Sequence, residues 1–282
     1  MRILCYYVKK EGKYMTSFYR WNAKHPLLTM LIAYIISFLL ILILRLTAPY
    51  SFFSSKGFQT SVVFCILFLT YIITQRSPDI LTQKPLSILH NQCDPYPFLA
   101  EMTEQLTYPY NPILKQYIQI NYSFALRFTG AYQHSLDVLS SIPIDDESRT
   151  PIALRFIYYN NLSDLYHLMN RFEEADFYFI KSEMVYQSIT NHKLKQLYSN
   201  AYLSNKSEFL FRKGEYSEAL SQLPGEPYRN MLSHVDNSLF SAQCCIALGD
   251  LEKAIEHLDF VIQNGNKLYQ VHVARNLLSE IS

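Results

Sequence analysis

The residues able to do chemistry are present but dispersed. Five cysteines, Cys5, Cys65, Cys93, Cys244 and Cys245, make no CxxC pair and no Cys/His ligand spacing. That excludes a zinc module, and the odd count argues against a secreted disulfide scaffold. The eight histidines have no motif-like cysteine or carboxylate partner, and no P-loop, HExxH, GxSxG or glycine-rich dinucleotide loop occurs. The acidic run Asp145-Asp146-Glu147 follows Pro143 and reads as a solvated turn, while Cys244-Cys245 reads as helix packing. The expectation is a protein that is not an enzyme, holds no metal or cofactor, and takes no small-molecule substrate.

Composition narrows the choice further. The 282 residues are 49% apolar and 17% charged, below the roughly 25% charge of ordinary soluble domains. Glycine is scarce, at seven, which favours helices over turn-rich sheets. A net charge of +1 does not recruit nucleic acid by bulk electrostatics. Six basic residues nevertheless crowd the first 24 positions: Arg2, Lys9, Lys10, Lys13, Arg20 and Lys24. There Lys9, Lys10 and Lys13 suit anionic lipid.

Two segments fit a bilayer. Residues 27–44, LLTMLIAYIISFLLILIL, carry no charge over 18 positions. At ~1.5 Å per residue, this run with its flanks crosses a hydrocarbon core of ~30 Å. A shorter run, SVVFCILFLTYII at 61–73, extends to 58–74, with a buried core helix as its competing reading. A cleavable signal peptide fits the first run poorly, because the run is too long and lies too far from the start. Basic residues precede the first run, and Arg76 and Lys84 follow the second, while the intervening loop 46–57 holds one lysine. The positive-inside rule then puts both chain ends in the cytoplasm, and a bacterial plasma (inner) membrane is the expected location. Thr29, Ala33 and Ser37, four apart, form a small-residue stripe suited to close helix packing. Six prolines within 77–112 read as a linker with one short helix near 97–106.

One local pattern recurs beyond that point. Gly130, Asn170, Gly214 and Gly249 are each followed two residues later by Tyr132, Phe172, Tyr216 or Leu251. A small residue comes three further on (Ser135, Ala175, Ala219, Ala254), and a large apolar one four beyond that (Leu139, Phe179, Leu223, Leu258). Gly and Asn tolerate the left-handed conformation that ends a helix. The aromatic or leucine plugs the space between two helices, and the small residue lets them cross closely. The pattern therefore predicts four helix–elbow–helix units.

These units resemble the tetratricopeptide repeat (TPR). The best copy is Tyr159-x2-Leu162-Ser163-x2-Tyr166 with Ala175-x3-Phe179; Ser163 stands where the family prefers Gly, and Tyr159 where it prefers Trp. The small anchors are 40, 44 and 35 residues apart, longer than the family's period of about 34. The resemblance covers about 113–265 and implies an all-α chain: a two-helix transmembrane hairpin, then a TPR-like solenoid of about four helix pairs. The expected domains are a basic segment 1–26, a hairpin 27–75, a Pro-rich linker 76–112, and a solenoid 113–282 whose last helix, 267–281, caps the stack.

The resemblance also implies a concave groove that takes a protein or peptide partner. Asn121, Asn161 and Asn205 share one position in three repeats, where peptide-binding members of the family contact the ligand backbone. A side-chain amide suits that task, being donor and acceptor at once. The competing structural reading has each Asn bonding backbone inside the stack. Arg127 and Arg212 are further groove candidates. The basic clamp of chaperone-type members is replaced by Tyr117, Ile157 and Ala201, which argues against recognition of a C-terminal carboxylate. All three asparagines begin Asn-x-Ser sequons, read as accidental because the serines belong inside helices. The implied function is a membrane-anchored adaptor or scaffold at the cytoplasmic face. The alternative is an accessory or regulatory subunit of a membrane enzyme or transporter, recruited through the hairpin stripe.

Overall fold

A computed structural model describes residues 12–47, 56–144, 150–225 and 227–281. Cys5, Lys9, Lys10, most of the loop 46–57 and the run Asp145-Asp146-Glu147 lie outside the described residues. Every regular element among the described residues is an α-helix. The helices are α1 (Gly12–Lys24), α2 (Pro26–Thr47), α3 (Lys56–Gln92), α4 (Tyr96–Gln105), α5 (Pro112–Phe128), α6 (Tyr132–Ser140), α7 (Ile152–Leu168), α8 (Phe172–Gln187), α9 (His192–Arg212), α10 (Tyr216–Gln222), α11 (Met231–Leu248), α12 (Leu251–Asn264) and α13 (Gln270–Ile281). Two compact units result, one of residues 1–84 with 107–111, the other of 85–106 with 112–282.

In the first unit the apolar helices are bare. Only 17% of Pro26–Ile43 and 7% of Thr60–Gln92 is buried. Leu27, Phe38, Phe64 and Leu69 stand well exposed. A core helix would hide such side chains, and the described residues of the second run do not. Thr29, Ala33 and Ser37 are the exception: they form the buried face of α2. Asn22 Nδ2 donates to Ser77 Oγ at 3.0 Å, and Ala23, Leu81 and Tyr108 share a small core. Arg20 adds a bond to the Tyr108 hydroxyl at 3.2 Å. The residues just before the first apolar run thus touch those just after the second.

The proline-rich stretch differs from the expected linker. Helix α3 runs through Pro78 and Pro85 to Gln92, and only short irregular pieces flank α4. Each interior proline removes one i→i−4 bond. Here the Asn22–Ser77 bond and the burial of Pro78 and Leu81 hold the helix together around the gap. The expected short helix is present as α4, with prolines at its first turn where no N–H is needed.

The second unit is a stack of helix pairs: α5/α6, α7/α8, α9/α10 and α11/α12, with α13 packed on the last pair. All four elbows have the same construction. Gly130, Asn170, Gly214 and Gly249 adopt φ of 80°, 57°, 81° and 79°. The next amide reaches back to the helix: Ala131 N to Leu126 O, Arg171 N to Tyr166 O, Glu215 N to Leu210 O, and Asp250 N to Cys245 O, at 2.9–3.2 Å. These are Schellman closures, which satisfy carbonyls the helix end leaves open. Ser135, Ala175, Ala219 and Ala254 are buried at the crossings. Ser163 Oγ donates to Ala175 O at 3.0 Å, and Ser123 bonds Ser135 at 2.7 Å, so the sequon serines are packing residues. Two of the four plugs are less enclosed than expected: Phe172 and Leu251 are 44% and 42% exposed, whereas Tyr132 and Tyr216 are half-buried.

Candidate partner-binding groove

The first helices of the pairs, α5, α7, α9 and α11, carry the groove candidates. Their three asparagines have different environments. Asn205 is 2% exposed, and its Nδ2 donates to Asn160 O at 2.8 Å, tying α9 to α7. Asn121 and Asn161 are half-buried, and among the described residues no hydrogen bond ties either side chain into the stack. The two arginines are committed to partners within the protein. Arg127 Nε lies 2.7 Å from Asp164 Oδ2, and its Nη1 donates to Asp236 Oδ2 at 3.2 Å. It therefore links α5 to α7 and α11. Arg212, with a side chain 1% exposed, donates through Nε to Asp176 Oδ1 at 2.7 Å, and its Nη1 lies 3.2 Å from His167 Nδ1. Lys213 completes the pairing at Asp176 Oδ2, 2.7 Å away.

These contacts belong to one buried charge cluster that the sequence reading missed. Burial pushes Asp164 up to about 7 although Arg127 pulls it down. Glu208 is pushed up to about 7 by burial against the pull of Arg212 and Arg127. Burial and the neighbouring Arg212 lower His167 to about 4, so its imidazole is neutral and can accept from Arg212. Burial opposes the charge of Arg127, but Asp164 and Asp236 outweigh it and hold the guanidinium above its ordinary value. One sequence signal pointed here. Asp164 and Glu208 occupy the same repeat position, two residues after Leu162 and Lys206. Equivalent positions on neighbouring first helices face each other, so a carboxylate at both was a sign of a paired site.

A second unforeseen feature is that the stack closes on itself. The turn after α12 reaches the first helices of the unit. Asn266 Nδ2 donates to Gln92 O at 2.7 Å, Lys267 N to Cys93 O at 3.2 Å, and Lys267 Nζ to Asp94 Oδ2 at 2.7 Å. Tyr269 N donates to Phe128 O at 2.9 Å, and its ring meets Tyr132 edge-on at 5.6 Å. Gln270 Nε2 then bonds Asp236 Oδ1 at 2.9 Å, joining this closure to the charge cluster. The last helix, α13, is therefore attached to a clasp as well as to the end of the stack.

The thiols in this unit are inert in character. Burial raises Cys93 to about 11 and Cys244 to about 12, so neither is a thiolate near neutral pH.

The repeat geometry agrees with comparison to known families. The model of the SusR N-terminal TPR domain matches residues 100–261, more than half of the 282-residue chain. The chain belongs to this family. Among curated proteins and solved structures, none matches. The matched span of the SusR-type TPR domain starts within α4 and ends in α12. It contains all four elbows and the charge cluster apart from Gln270, and it stops short of the clasp.

Proposed function

We propose that the protein is a membrane-anchored, non-enzymatic adaptor whose TPR solenoid binds a protein or peptide partner at the cytoplasmic face of a bacterial plasma membrane. Two bare apolar helices in a chain that also carries a TPR domain are the observation that supports this reading. Exposed apolar surface on that scale is characteristic of a lipid or protein interface. The Asn22–Ser77 contact favours a hairpin with both ends on one side, and Arg20, Lys24, Arg76 and Lys84 flank that side. Basic flanks favour the cytoplasm. Asn121 and Asn161 are the partner-contacting candidates, because their amides are unspent. Asn205, Arg127 and Arg212 shape the groove from within.

The rival reading, an accessory subunit recruited through its hairpin, drew on the stripe Thr29/Ala33/Ser37. That stripe is buried within this chain, which favours the solenoid as the contact surface.

Washing membranes at alkaline pH tests the anchor: the full-length protein should stay in the pellet. A C-terminal green fluorescent fusion should fluoresce, and a C-terminal alkaline phosphatase fusion should be inactive. Release by the wash would refute the anchor, and an active phosphatase fusion would refute the orientation.

A further inference from the structure

We propose that Asp164 and Glu208 share one proton at neutral pH and that this buried acid pair is a pH-sensitive latch between the second and third helix pairs. The two carboxyls project from α7 and α9 at equivalent repeat positions and lie within hydrogen-bonding reach of each other. Each keeps one oxygen, Asp164 Oδ1 and Glu208 Oε2, without an N–H or O–H donor. Both oxygens are sealed from solvent, with no surface open to a water-sized molecule. Buried acceptors of this kind are costly unless something donates to them. A ligand or water has no room there, whereas a proton has.

The local charge balance leads to the same conclusion. The groups facing the pair are Arg127 and Tyr132 at the first helix pair, His167 on α7, Arg212 at the end of α9 and Asp236 on α11, while Asp176 on α8 and Lys213 pair with one another behind Arg212. Burial holds Tyr132 well above its ordinary value, so it stays a neutral phenol. His167 is neutral as well. Arg127, Arg212 and Lys213 then oppose Asp164, Asp176, Glu208 and Asp236, which leaves one negative charge over. A proton on the acid pair removes that excess and gives one carboxyl an O–H to donate to the other. The same logic makes two carboxylates that share a site hold a proton between them.

The direction of the pH effect follows from linkage. Both carboxyls bind protons more tightly in the folded chain than at their ordinary values of 3.8 and 4.5. The folded state therefore holds more protons up to about pH 7, and stability falls as the pH rises through that window. His167 acts oppositely, adding stability as the pH rises from about 4 to 6.5. Above that range the acid pair acts without this opposition. When its proton leaves to solvent, two carboxylates repel across the α7/α9 contact and the helix pairs loosen. The latch concerns the stack's own stability and stands whether or not the groove binds a partner.

The test is urea unfolding of the full-length protein in detergent micelles between pH 6 and 8, for wild type, Glu208→Gln and Asp164→Asn. The wild-type unfolding constant should rise about tenfold more across that range than that of either variant, the effect of one linked proton. A permanent amide donor mimics the protonated pair, so the variants should lose this dependence. The infrared carbonyl band of a protonated carboxyl should be present in wild type at pH 6 and absent at pH 8.5, a measurement that needs no variant. Equal pH dependence in wild type and both variants, or no such band at pH 6, overturns the proposal.

Discussion

Arg127→Ala should destabilise the TPR domain by about 3–5 kcal/mol, the cost of removing one partner from a buried ion pair. The arginine lies 2.7 Å from Asp164 and 3.2 Å from Asp236, and its side chain is 13% exposed. Its removal leaves two carboxylates on different helix pairs with their nearest cation gone. Asp236 keeps a bond from Gln270, but Asp164 keeps only its acid neighbour Glu208. Asp164, pushed up by burial, takes up a proton as the pH falls, so the loss should be smaller at pH 5 than at pH 8. Arg171→Ala supplies the contrast. Its pair with Glu174 lies on the surface, where solvent screening leaves little for its removal to cost. Urea unfolding of both full-length variants measures the difference, and equal costs would mean that the Arg127 pairs are effectively solvated.

Gly130→Ala and Gly214→Ala should differ sharply although their backbones match. Both glycines have φ near +80°, where a side chain costs about 1–2 kcal/mol. At Gly214 an added Cβ meets nothing within 4 Å, so that conformational cost is the whole effect. At Gly130 the Cβ would collide with the Tyr269 ring at Cδ2. The ring must turn away, which strains the Tyr269 N to Phe128 O bond and the contact with Tyr132. Overpacking of that kind adds about 1–3 kcal/mol. Hydrogen exchange should localise the difference: α13 and the turn before it should lose protection in Gly130→Ala and keep it in Gly214→Ala.

This contrast marks what a sequence can reveal here. The elbows were legible because a left-handed residue after a helix is a local steric requirement, met at the four elbows by Gly130, Asn170, Gly214 and Gly249. The small residues at the crossings were legible for a similar reason, since nothing larger fits. The clasp was not. Asn266 and Lys267 bond Gln92 and Asp94 across more than 170 residues, and neither partner carries a motif. The charge cluster was half legible. Arg127 and Arg212 stood out as charges on first helices, but their burial depends on which residues on neighbouring helices approach them. Asn121, Asn161 and Asn205 share a repeat position but not an environment, because among them only Asn205 reaches a backbone carbonyl of the neighbouring first helix, that of Asn160. Proline spacing misled in the stretch 76–112, where tertiary contacts around Ser77 and Leu81 carry α3 through Pro78.

The account's central claim is that the solenoid, and not the hairpin, captures the partner. The direct measurement is crosslinking and affinity capture from native membranes, with partners quantified for three full-length forms. These are wild type, the double variant Asn121→Ala/Asn161→Ala, and a chimaera in which residues 1–75 are replaced by an unrelated two-helix anchor. The account predicts one partner set shared by wild type and chimaera and lost from the double variant, whose unfolding should match wild type. A partner set that survives the double variant and vanishes from the chimaera would contradict it, and would assign recognition to the hairpin.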